Sequence, residues 1–411
     1  MKLIRLLIVL LITSSLFAEL YEPHRFIEVG VDAEVGVSNN YFRADEVLVK
    51  DLVINVQKMA KDLSSGGLTI DYMVNSGAFI GLNFGPKFRL KIFTEVEGSG
   101  YVNAPHDLFD LLGNGYTAGT DVDFQMEGYA DLYTSFGASC HTTIFQKYGI
   151  TVTPAYFVPL AYVERTVANV NVSSTMDGTT VARATAPIEV YSTASLRPYK
   201  ENDFSSSTIT SDVTSSLKNG GFDLSLAVER PLLKRLDIGI FARIPIMPAT
   251  LNHKMTMNAY ASYTVNNLLG YLDDTLETSN DYGIDDIVYT SGEGKKVWRP
   301  FRMGIEGAWR PFGTWCTFRP MFAMVVRNPY ISGERIVYPE FGLSAEAALF
   351  NMLGINFSTA YKSRVFVQQL GFMFNFRAVE INIKAMLRGA SFISSFNWSG
   401  AGAYVGVRVG F

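Results

Sequence analysis

The sequence predicts an all-β fold: a transmembrane antiparallel β-barrel of about 14 strands, with 16–18 as the next reading, and a helical insertion after the first strand. Three observations predict it. Apolar residues recur at every second position over runs of 10–14 residues. Such runs exceed the roughly 5–6 residues of ordinary soluble strands and match the roughly 9–11 that a tilted spanning strand needs. The other face of each run mixes Gly with both charge signs, which suits a wet lumen. Beyond the extreme N-terminus no run of about 18 apolar residues exists, so the chain does not cross a membrane as helices.

Composition agrees. Of 411 residues, 48% are hydrophobic and 13% aromatic, whereas 18% are charged; soluble domains carry roughly 25% charged residues. Mean hydropathy is only +0.14. A net charge of −4 argues against a nucleic-acid partner. The 2 cysteines cannot form a disulfide framework.

Residues 1–18 read as a signal peptide. Lys2 and Arg5 form the positive region, Leu6 to Ile12 the apolar stretch, and Ala18 a small residue before a cleavage point at Glu19. No Cys follows the apolar stretch, which argues against lipidation. Residues 19–411 then form the barrel. In the first strand Ile27, Val29, Val31, Ala33, Val35 and Val37 oppose Glu28, Gly30, Asp32, Glu34 and Gly36.

Residues 44–63 break the pattern. Val49, Leu52, Val53, Val56, Met59, Ala60 and Leu63 lie at helical spacing, and Ser64 to Gly67 ends the run. A second short helix is expected at 105–112, with Pro105 in its first turn. The apolar face centred on Leu52, Val56 and Met59 has two readings. It folds into the lumen as a plug or gate, or it packs on the outer rim.

Alternation resumes in strands at 70–84, 87–97, 120–137, 148–160, 220–230, 234–245, 297–310, 314–327, 339–350, 353–362, 364–377, 379–388 and 400–411. Tight turns join them on one side and longer loops on the other, the pattern of periplasmic turns and outer loops. Segments 164–175, 180–195 and 252–265 alternate as well and are placed as β-extensions above the membrane. Pro154 and Pro159 in one strand, and Pro245 and Pro248 in another, mark where strands leave the bilayer and bend.

The last strand carries a resemblance. Ala401, Ala403, Val405, Val407, Val409 and Phe411 share one face, and a terminal strand ending in Phe resembles the assembly signal of bacterial outer-membrane β-barrel proteins. The resemblance implies residence in the cell outer membrane, with membrane lipid and the barrel assembly machinery as partners and Phe411 as the signal residue. Fourteen strands, a secreted N-terminus and helices near the first strands together resemble the FadL-type transporters of hydrophobic compounds. That architectural likeness implies energy-independent passage of small molecules, hydrophobic compounds such as fatty acids first and small polar solutes second. FadL-type proteins place a helical hatch with an Asn-Pro-Ala motif before the first strand. Here no Asn-Pro-Ala occurs, and Asn328-Pro329 is followed by Tyr330. No individual residue is therefore carried over from the family.

Nothing in the sequence points to catalysis, a metal or a cofactor. His24, His106, His141 and His253 stand at no zinc-binding spacing, and neither a Gly-x-Ser-x-Gly nor a phosphate-binding loop occurs. Charge is sorted instead. From residue 296 onward there are 13 Lys and Arg against 5 Asp and Glu, while the preceding residues hold 22 against 34. The lumen faces follow suit, with Glu28, Asp32 and Glu34 early and Arg302, Arg310, Lys384, Arg388 and Arg408 late. Two readings follow: ion pairs that lock a filled lumen, or a transverse field that orients polar solutes. A rival of a different class is a surface interaction protein using the Ser/Thr/Asn-rich loops 161–219 and 246–296.

Overall fold

The computed structural model describes residues 25–43, 55–85, 87–114, 121–145, 147–175, 179–194, 214–266, 277–285, 287–313, 315–330, 335–349, 352–362, 365–376 and 378–411. The segment read as a signal peptide lies outside these residues.

Among the described residues, eighteen strands join one antiparallel sheet. They are β1 (Ile27–Asn39), β2 (Leu68–Asn83), β3 (Phe88–Ala104), β4 (Asp121–Ile144), β5 (Tyr148–Ser174), β6 (Thr180–Ser192), β7 (Gly221–Leu233), β8 (Leu236–Met247) and β9 (Ala249–Asn266). The rest are β10 (Glu277–Ile284), β11 (Val288–Val297), β12 (Phe301–Trp309), β13 (Cys316–Arg327), β14 (Ile336–Leu349), β15 (Leu353–Lys362), β16 (Val365–Asn375), β17 (Val379–Gly389) and β18 (Gly400–Gly410). The helices α1 (Val56–Asp62), α2 (His106–Asn114) and α3 (Phe392–Phe396) lie between them.

Fourteen strands close a ring. Its order is β1, β2, β3, β4, β5, β7, β8, β12, β13, β14, β15, β16, β17 and β18, and β18 then pairs back onto β1 with Glu28 opposite Gly410 and Val37 opposite Ala401. These are the fourteen segments that alternation picks out. Closure leaves no edge and satisfies every wall strand on both sides, the condition for spanning a bilayer with strands. The turns are short on one rim. Gly85 and Gly313 hold two of them at φ +86° and +94°, a backbone region costly for other residues.

The exterior confirms a lipid-facing wall. Val31, Ile92, Ile240 and Ile305 are 55–57% exposed, and valines, isoleucines and phenylalanines repeat this on each wall sector. So broad an apolar surface facing outward needs hydrocarbon, not water, around it.

The remaining strands continue the wall outward. β4 and β5 run 24 and 27 residues, more than twice a spanning length. At Phe157 the pairing of β5 with β7 ends, and at Tyr162 its pairing with β6 begins. In the extension β6 stands between β5 and β9 where β7 stands between β5 and β8 in the wall, and β9 then pairs with β10 and β11. Pro159 adjoins the bulge that separates the two parts of β5, and Pro248 separates β8 from β9. Proline cannot donate to the ladder, so the sheet bends there. The strands β10 and β11 correct the reading of 266–296 as loop. Their sequences, Glu277–Ile284 and Val288–Val297, are polar on both faces. Exposed over most of their length, they have little reason to alternate.

Candidate functional site

The lumen is lined by the even-numbered residues of β1 and the odd-numbered residues of β2, β3 and β4, and it is where the charge lies. Glu34, Glu97, Glu340, Arg302 and Arg388 are among the largest fully buried side chains of the protein. Their burial means that the lumen, not the space between two sheets, is the core.

The structure joins the sequence-predicted charges in pairs. Glu28 lies 3.6 Å from Arg408, which also approaches Glu380 at 3.7 Å. Arg302 reaches Glu340 at 3.0 Å and stacks over Phe241. Arg310 pairs with Asp237 at 2.6 Å near the periplasmic rim. Arg388 on β17 crosses to Asp71 on β2 at 2.7 Å, passing β18 and β1. Lys384 lies over the Tyr404 ring, whose hydroxyl points to Asp32 at 3.5 Å. Glu34 is surrounded by the charges of Lys384, Lys362 and Arg388, yet the protein offers neither of its oxygens a hydrogen bond. Both signs are paired locally across the lumen.

The tightest crossing was not legible in the sequence. Arg299, between β11 and β12, is 2% exposed and donates to Ser135 Oγ on β4 at 2.9 Å. It pairs with Glu97 on β3 and approaches Asp223 on β7 at 3.4 Å, both 1% exposed. One guanidinium thus ties three wall strands to the strand entering from the extension. Below it, Lys91, Phe93, Glu95, Asp223 and Arg243 line a space of about 20 Å³, room for roughly one water molecule. Above it lies an aromatic cluster of Tyr133, Phe157, Tyr162 and Tyr191 with Leu251 and Val297. Tyr129 meets Tyr162 of this cluster edge-to-face, and Arg327 reaches over the Tyr129 ring from β13. Alternation on β3 would have flagged Glu97; Arg299 falls at the head of the run read at 297–310, where the structure ends β11 at Val297 and starts β12 at Phe301, so alternation assigned it no face.

The helices sit elsewhere than the plug reading requires. On β4, Asp131 and Tyr133 face inward, while Val122, Phe124 and Met126 share the outward parity of Phe136. Leu108 and Leu111 of α2 pack on Phe124, Val170 and Val172 of that outward face. The helix α1 rests in turn on α2: a Cβ at Gly113 would stand 3.0 Å from that of Ala60, and His106 Nε2 donates to the Ala60 carbonyl at 3.0 Å. Val56 and Met59 therefore belong to a helix pair on the outer rim, with Met59 buried, and not to the lumen. Leu52 lies outside the described residues. Among the described residues of the apolar face, Met59, Ala60 and Leu63 are buried, and Ala60 meets α2.

Cys140 on β4 and Cys316 on β13 are free thiols. Among the described residues no cluster of metal-ligating side chains occurs.

A closed antiparallel ring, an apolar exterior and a charged interior decide the class. The chain is an outer-membrane β-barrel. Among solved structures it is similar to the Pseudomonas putida toluene transporter TodX, with a TM-score of 0.45 and 8% identity over 97% of this chain and 93% of that one. A Pseudomonas aeruginosa FadL homologue gives a TM-score of 0.41 and 7% identity over 93% and 89%. The translocator domain of the Neisseria meningitidis autotransporter NalP gives 0.35 and 8% over 97% and 93%. No protein-family model and no curated protein matches the chain.

Proposed function

We propose that this barrel passes small molecules across the outer membrane without an energy source, and that its resting state is closed by side chains of its own wall. The observation that carries the reading is the nature of the filling. Eight strands suffice for a barrel whose interior side chains can fill; fourteen enclose more. A barrel built only for stability would be filled best by apolar residues, because buried ion pairs are often no better than hydrophobic replacements of the same volume. Here the filling is Arg299, Arg302, Arg388, Glu97, Glu340 and their neighbours, groups that water readily takes back. Such a core separates at small cost when solvent and solute enter.

Hydrophobic compounds are the first substrate class, supported by the aromatic cluster around Tyr133, Tyr162 and Tyr191 on the outer side of Arg299. Small polar solutes are the second reading, favoured by the charged layer beneath it. Cells lacking their general porins, with and without this protein, separate the two. Faster uptake of a labelled fatty acid supports the first class, and faster uptake of a labelled amino acid supports the second. No change in either leaves the surface-interaction reading.

A further inference from the structure

The periplasmic turns carry a charge pattern that the lumen does not explain. Lys87 follows the β2–β3 turn, Lys147 lies in the β4–β5 turn, and Arg230, Lys234 and Arg235 flank the β7–β8 turn. These are three consecutive turns of the ring. All five side chains are exposed. Among the described residues none of them forms an ion pair with a carboxylate. Arg230 stacks on the Tyr148 ring, and Arg235 donates to the Pro311 carbonyl at 2.6 Å. The nearest carboxylate in sequence, Glu229, is turned to His141.

The same turns are apolar at their tips. Phe145 is 84% and Leu233 64% exposed, and Phe84 and Leu232 are more than half exposed. Exposed aromatic and aliphatic side chains place these turns at the boundary of the hydrocarbon, where headgroups begin. Cations at that depth, without a carboxylate partner among the described residues, meet phosphate.

We infer that this arc of the periplasmic rim is a binding surface for anionic phospholipid headgroups of the inner leaflet. The apolar tips enter the acyl region and the five cations collect negatively charged headgroups around the turns. A soluble acidic partner would not account for the apolar tips, which would then face water.

Trp309 and Trp315 flank the adjacent β12–β13 turn and are about half exposed, so they report on neighbouring lipid. The full-length protein is reconstituted in mixed vesicles containing brominated-chain phosphatidylglycerol or, at equal fraction, brominated-chain phosphatidylcholine. Quenching should show an enrichment of about threefold to fivefold for the anionic lipid at low salt. It should shrink at high salt, where screening reaches within a few ångströms. Replacing the five cations by Ser should abolish it, with heat-modifiable gel mobility checking that the barrel still forms. The double variant Lys234→Ser/Arg235→Ser, which leaves two turns untouched, should weaken it partway. Equal quenching by both lipids in the wild type, or an enrichment indifferent to salt, overturns the inference.

Discussion

Removing the Arg299 guanidinium is the most informative perturbation. In Arg299→Ala the carboxylates of Glu97 and Asp223 lose their shared partner, and both are 1% exposed. Breaking a buried pair by deleting one partner costs about 3–5 kcal/mol, because the remaining charge is left uncompensated. The fourteen-strand ring does not contain that interaction, so the ladder persists. The cost is relieved by letting water into the lumen at the level of Glu97, which opens the narrowest crossing. Urea unfolding from vesicles should show a loss of a few kcal/mol. Proteoliposome swelling in a small sugar should be faster than with the wild type. Arg299→Met combined with Glu97→Gln and Asp223→Asn, which removes all three charges, should recover most of the stability. Unchanged stability and unchanged swelling in Arg299→Ala would refute the idea that this crossing closes the lumen.

Other predictions follow from the same geometry. Deleting residues 44–63 should leave small-solute permeability unchanged, because α1 rests on α2 outside the lumen, but should expose the apolar face of Leu108 and Leu111 and promote aggregation in detergent. A rise in permeability would return the helix to the lumen. Deleting Phe411 should lower the amount of assembled barrel in the membrane fraction, since its backbone bonds with Phe26 and Ile27 close the seam of β18 on β1; normal levels would contradict this. In the extension above the bilayer, the Lys254 ammonium and the Tyr191 hydroxyl beside Glu189 hold its carboxyl below the usual carboxylate range. Its contribution is therefore present above the unfolded-state pKa and lost as pH falls through the folded-state value. Hydrogen-exchange protection of β6 and β9 should drop on acidification in the wild type and respond less in Glu189→Gln; an equal pH response in the two proteins rejects the assignment.

The wall was legible because the bilayer writes on it. Each spanning strand faces hydrocarbon on one side and charge on the other, so Val29, Val31 and Val35 alternate with Glu28, Asp32 and Glu34 without exception. Pro159 and Pro248 were legible for a similar reason, since a residue without a donor marks where the ladder changes partner, whereas Pro154 and Pro245 stay within the β5–β7 and β7–β8 ladders. β10 and β11 were hidden because they are exposed over most of their length. The lumen charges were visible as residues but not as pairs. Arg388 meets Asp71 only because closure sets β17 near β2, a neighbourhood 317 residues apart in sequence. Arg299 was read inside the strand 297–310 but not as a lumen charge, because it lies in the short link between β11 and β12, where no pairing fixes a face. The segment 44–63 showed an apolar face, and its described residues Met59 and Ala60 are buried, but a face names no partner, and α2 supplies one from the next long loop.

The central claim is that a wall-filled but separable lumen conducts. Single-channel recording of the wild-type protein in a planar bilayer tests it most directly. The account predicts a closed baseline interrupted by brief openings, and longer or larger openings in Arg299→Ala under the same voltage. A wild-type protein that folds, inserts and stays silent at every voltage, with Arg299→Ala equally silent, would contradict it.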